Sequence, residues 1–73
     1  MYVYVLLGCE LYTHDHFKDV YETLVGAMQA AELDWHENNP QWEPLSWSYY
    51  VNVWHGGNYH QVYYRIRKRE LED

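Results

Sequence analysis

Five histidines and one cysteine are the side chains here with the most reactive chemistry, and their spacing decides what they could do. His14-Asp15-His16 would set two imidazoles on one side of an extended segment, with a carboxylate to help complete a metal site. Nothing in the sequence completes it: there is no cysteine pair and no helical His-x-x-x-His, so solvated loop histidines are the plainer reading. His55 and His60 flank Gly56-Gly57 and read as strand-end residues. Cys9 with a histidine elsewhere is the minimum for a thiol nucleophile. It falls on the expected inner face of a strand, where a buried cysteine is usually inert. No nucleophile elbow, phosphate-binding glycine loop or paired-carboxylate spacing is present. The expectation is no catalytic residue, no metal and no cofactor: a protein that is not an enzyme.

The elements around these residues follow from periodicity. The chain has 73 residues, enough for a single domain spanning 1–73. Tyr2 to Cys9 is β-rich, with Val3, Val5, Leu7 and Cys9 on one face and Tyr2, Tyr4 and Leu6 on the other. Near the end, two alternating aromatic runs flank Gly56-Gly57, and a two-residue Gly-Gly loop suits a type I′ turn. That hairpin would pair Trp47 with Ile66, Tyr49 with Tyr64, Val51 with Val62 and Val53 with His60. Between these ends the pattern is ambiguous. Phe17, Val20, Tyr21, Leu24, Met28 and Ala31 recur at helical spacing, consistent with one long helix from about Asp15. The alternative is a short strand over 17–22, Thr23 as N-cap and a helix from Leu24 to about Glu37, with Leu24, Ala27, Met28, Ala31 and Trp35 as its apolar stripe. Asn38-Asn39-Pro40 would end it.

Periodicity leaves both readings open; a resemblance favours the second. Val3-Tyr4-Val5-Leu6, then Val20-Tyr21-Glu22-Thr23 leading to Ala27, Ala30 and Ala31, then Tyr64-Arg65-Ile66 and Glu70-Leu71, resembles a loose class of small phage and bacterial proteins. Their pattern runs VYVL, then GVYST into an alanine-rich helix, then a closing YxIxExEL-like strand. Here Asp19 stands where a glycine is usual, and the segment 34–47 is rich in tryptophan. The resemblance implies a β-β-α-β-β fold and phage origin, and no catalytic residues. The fold expectation is therefore α+β, one helix packed on a small four-stranded sheet, with β-α-β-β and one long helix as the alternative.

One helix covers one face of such a sheet. Val3, Val5, Leu7, Tyr49, Val51, Val53, Val62, Tyr64 and Ile66 are expected inside. Tyr2, Tyr4, Tyr50, Trp54, Tyr63, Arg65 and Arg67 are expected on the uncovered face, where exposed aromatics mark a contact surface. Three uses compete for it: protein contact (a homodimer or another partner), single-stranded nucleic acid stacked on the aromatics, or covering by the chain's own polar side chains and the 40–47 loop. The formal charge of −6 opposes the nucleic-acid use.

Acids dominate positions 10 to 43, where Lys18 is the one base, while Arg65, Arg67, Lys68 and Arg69 cluster near the end. Glu32, Asp34, Glu37 and Glu43 could imitate phosphates in a basic channel. The functional expectation is a small acidic, non-catalytic binding protein that occludes a partner's surface. With the origin that the resemblance implies, its most concrete version is an inhibitor of host defence, anti-CRISPR-like, acting on a nucleic-acid-processing complex. The alternative is a single-stranded nucleic-acid-binding module. One cysteine suits a reducing cytoplasm, and no run is long enough to cross a bilayer.

Overall fold

The computed structural model describes residues 1–9, 15–58 and 61–71. Within them lie five strands and one helix: β1 (Tyr2–Gly8), β2 (His16–Tyr21), α1 (Leu24–Asn38), β3 (Ser46–Tyr50), β4 (Val53–Asn58) and β5 (Gln61–Glu70). The strands form one sheet in the order β2-β1-β5-β4-β3, with every neighbouring pair antiparallel. The fold is thus α+β, with strand β2 ahead of the helix and one strand more than the four expected. The long helix from Asp15 does not form, because residues 16–21 pair with β1 instead.

Thr23 explains where α1 starts. It sits at φ −128° and its hydroxyl accepts from the Gly26 N–H at 3.0 Å, satisfying one of the orphan donors of the first turn. Asn39 closes the other end, its own N–H donating to the Trp35 carbonyl at 2.8 Å. Ala27, Ala31 and Trp35 are the buried residues of the helix, and the two alanines are fully covered. They form one cluster with Leu6, Leu45, Tyr64 and Ile66. Burying Leu6 and Ile66 contributes about 1.5–3 kcal/mol each.

The expected Gly56-Gly57 turn is replaced by two hairpins. The chain reverses at Val51-Asn52, both at positive φ (53° and 61°), as a two-residue type I′ connection requires. Gly56 and Gly57 lie inside β4, and neither has a positive φ. Trp47 therefore pairs with Gly56, which in turn pairs with Tyr64. Gly56 is small because Trp47 lies across it: a β-carbon there would meet the indole at 2.7 Å.

Direct partners share a face of the sheet, so the registers assign the faces. Asp19, Leu6, Ile66, Trp54 and Tyr49 make one row across all five strands on the helix side of the sheet, where α1 packs on β1, β2 and β5. The expected inner face is corrected accordingly: Tyr64 and Ile66 are buried under the helix and Tyr49 is on that side but largely exposed, whereas Val3, Val5, Leu7, Val53 and Val62 stand on the opposite face. Val51 is in the turn and 80% exposed. Tyr4 and Trp54, expected outside, are inside, their rings 5.9 Å apart edge to face.

Two bulges add to this. The β1–β2 register skips Lys18, and the β4–β5 register skips Tyr63. Each extra residue turns its side chain toward the helix: Lys18 Nζ lies 3.6 Å from Asp34, and the Tyr63 ring 4.6 Å from that of Trp35.

Val51 is the strained residue of this frame, since a β-branched side chain rarely adopts φ near +53°. Val51→Asn keeps the turn with a residue that tolerates the left-handed region. It should stabilise the domain by about 1 kcal/mol and raise the thermal midpoint by about 4–8 °C, measured by circular dichroism.

Candidate functional site

The face opposite α1 is built from the alternate residues of every strand. Val20, Val5, Arg67, Val53 and Tyr50 form one row across it, and Phe17, Leu7, Arg65, His55 and Ser48 form the next. Val3 and Arg69 pair in the row beyond. Residues 65, 67 and 69 of β5 thus carry three guanidinium groups along the middle strand of the sheet, spaced about 7 Å apart, between flanking valines and leucine. Phe17 and Tyr50 stand near its two edges, 63% and 59% exposed.

The arginines differ in how they are engaged. The Arg65 guanidinium donates to Asp15 Oδ1 at 2.6 Å and to Cys9 Sγ at 2.8 Å, and the Cys9 thiol donates to the same Asp15 oxygen at 2.8 Å. Burial, reinforced by the bond to Asp15, pushes the Cys9 thiol up to about 11, so it stays protonated at neutral pH. The thiol bond, and then the Arg65 guanidinium, hold the Asp15 carboxyl below its ordinary value. The salt bridges among the described residues are Lys18–Asp34 and Arg65–Asp15. Arg67 and Arg69 are exposed and have no carboxylate within 4 Å among those residues, although the Arg67 charge also acts on Asp15.

Beside this row a cleft of about 440 Å³ opens on the same face, lined by Glu43, Pro44, Ser46, Ser48, His55, Gly57, Asn58, Gln61 and Val62. His55 is 8% exposed, and neither ring nitrogen has a hydrogen-bond partner among the described residues. Tyr50 stacks on its ring at 4.3 Å between centroids and 20° between planes. A buried imidazole with both nitrogens unpaired costs stability, on the order of 1–3 kcal/mol for each buried group left unsatisfied.

Of the residues expected to bind a partner, the structure brings Tyr50, Arg65 and Arg67 together on this face. Tyr4, Trp54 and Tyr63 pack under the helix, and Tyr2 lies at the end of that side with Lys68 Nζ 4.1 Å over its ring. Two of the four acids have internal partners. Glu32 accepts from the Trp47 indole N–H at 3.0 Å, and Asp34 accepts from the Tyr64 hydroxyl at 2.5 Å. Burial and that bond push the Tyr64 phenol far above its ordinary range. Glu43 works through its backbone, its carbonyl accepting from the Trp35 indole and the Asn58 amide, while Glu37 is exposed.

His14 and His60, from the histidines considered above, fall outside the described residues. His16 packs against Gly8, and among the described residues no group of three or more His, Cys, Asp or Glu could hold a metal ion. Sequence reasoning missed Arg69 and His55 as members of the face. Arg69 was findable, because it shares the parity of Arg65 and Arg67. No helix among the described residues is long and apolar enough to cross a membrane. Compared with protein-family models, curated proteins and solved structures, the chain matches none.

Two outcomes test this geometry. Asp34→Ala leaves the buried Tyr64 hydroxyl without its acceptor and should cost about 1–3 kcal/mol in urea unfolding, whereas Glu37→Ala should stay within about 0.5 kcal/mol. Asp15 is depressed in the folded state. Its contribution is therefore full above its unfolded value, about pH 4, and lost as pH falls through the lower folded value. Asp15→Asn should flatten the stability profile in that acid range, and an unchanged profile would show that the Cys9–Arg65 contacts do not hold the carboxylate.

Proposed function

We propose that this chain is a non-catalytic binding protein whose contact surface is the open face of the sheet and whose partner presents anionic groups to it. The observation that carries this is the pair Arg67 and Arg69: two exposed guanidinium groups two residues apart on β5, with no carboxylate within 4 Å among the described residues, rising from a bed of valines. Arginine stems pack on apolar surface while their planar heads stay free for carboxylate or phosphate. The acidic side has less to offer a partner, because Glu32 and Asp34 are spent on Trp47, Tyr64 and Lys18. A face-to-face homodimer would set two arginine rows against each other, which like-charge repulsion disfavours. Occlusion, the mode expected from the sequence, operates from this face too. An inhibitor of a nucleic-acid-processing complex would then compete for the nucleic acid instead of imitating it.

Retention on an immobilised polyanion at low ionic strength tests the reading. The unmodified chain should be held despite its charge of −6. Arg67→Gln with Arg69→Gln should elute early. Gln29→Glu with Val25→Glu, which changes net charge by the same amount at exposed sites on α1, should be retained nearly as well. Equal losses from both pairs would reduce the effect to net charge and remove the site.

A further inference from the structure

Resting on that reading of the open face, we infer that the anionic partner is a single-stranded nucleic acid and that the cleft at His55 holds one of its bases. His55 is buried, and both its nitrogens are shut off from solvent and without a partner among the described residues, so a base must displace the side chains over the ring to reach them. In its neutral form the ring offers one donor and one acceptor, which is what the edge of a base presents in return. Ser46, Ser48 and Gln61 line the same cleft with further groups that both donate and accept. At about 440 Å³ the cleft lies within the usual range for a small-ligand site.

The charges divide the ligand. Glu43 lines the cleft and Arg65 beside it is committed to Asp15, so the cleft suits a neutral, planar, polar group and not a phosphate. Phosphates belong over Arg67 and Arg69, farther along β5 from the cleft, which starts at Gln61 and Val62. Cleft, Arg67 and Arg69 follow one another along a single strand, with the stacked Tyr50 ring beside them. An extended strand of nucleic acid has this order of groups: an unpaired base with an aromatic face, then successive phosphates. A duplex keeps its base edges paired inside and has none to give. An acidic peptide would satisfy the arginines but leave the cleft unexplained.

Fluorescence anisotropy with a labelled thymidine oligonucleotide tests this, using an abasic strand of equal length and poly-glutamate as further probes. The oligonucleotide should bind, and log K should fall with log salt with a slope no steeper than about −1.4, the value for two phosphates on a single strand. His55→Phe keeps a buried ring beneath Tyr50 but removes both nitrogens. It should fold, as circular dichroism will show, and bind about tenfold more weakly. Arg67→Gln with Arg69→Gln should lose at least as much. In the unmodified protein the His55 ring nitrogens should shift in NMR with the thymidine strand and not with the abasic one, a readout that does not depend on how any variant folds.

If the abasic strand binds as tightly as the thymidine strand, the cleft takes no base and the inference is overturned. Preference for a duplex would overturn it equally. Binding of poly-glutamate through Arg67 and Arg69, with neither oligonucleotide bound, would make the partner an acidic protein and leave the open-face reading standing. No binding of any probe would remove both.

Discussion

The close approach of α1 to the sheet through Ala27 and Ala31 is the constraint on which the rest of this structure depends. Both alanines are fully buried, so the helix is held against the Leu6–Ile66 centre with no long side chains between. Its 15 residues make a rod about 22 Å long, which packs on β1, β2 and β5. One such rod covers one face and leaves nothing for the other. The contacts that secure the rod are correspondingly specific: the Trp35 indole on the Glu43 carbonyl, Asp34 on Tyr64 and Lys18, and Glu32 on Trp47. Lys18 and Tyr63 reach the helix because each is the extra residue of a bulge. A regular strand would have turned each of them away.

Much of this was legible in the sequence, and the exceptions have physical causes. The Thr23 cap and the Ala27–Ala31–Trp35 stripe were visible, because capping chemistry and an apolar stripe act locally, whereas periodicity left the strand before the helix open and only the resemblance favoured it. The second hairpin was hidden, since a valine gives no hint of a turn at positive φ while Gly56-Gly57 gives a false one. Those glycines answer to Trp47 and to the Gln61 backbone, which are contacts across strands. The faces of β1 could not be chosen by alternation, because Val3, Val5 and Leu7 are as apolar as Tyr4 and Leu6. Packing against the helix decides it, and period-two reading cannot see bulges.

The same errors explain which members of the candidate face were readable. β3, and β5 from Tyr64 onward, kept their expected parity, so Tyr50, Arg65 and Arg67 stood where alternation placed them. β4 changed parity when the turn moved to Val51-Asn52. That carried Trp54 inside and His55 to the floor of the cleft, where it had been read as a strand-end residue. A histidine looks alike in sequence whether solvated or buried with two unpaired nitrogens. Only the tertiary structure separates the two.

The remaining tension is between an acidic protein and an arginine face, and distance resolves it. At physiological ionic strength a charge is screened over about 8 Å, while a helix has a diameter of about 10–12 Å with its side chains. Glu32, Asp34 and Glu37 belong to α1, on the far side of the sheet from Arg67 and Arg69, and two of them are already hydrogen-bonded. Asp15 faces the arginines but is held by Arg65 and Cys9. Among the described residues the field just outside the open face is therefore set by the guanidinium groups standing in it, with Glu43 at the cleft and Asp15 at Arg65 against them, and the helix acids govern only the approach from long range. Lowering the salt lengthens the reach of the distant acids along with that of the arginines, so the salt dependence of binding should be shallower than the same arginine pair would give on a neutral domain.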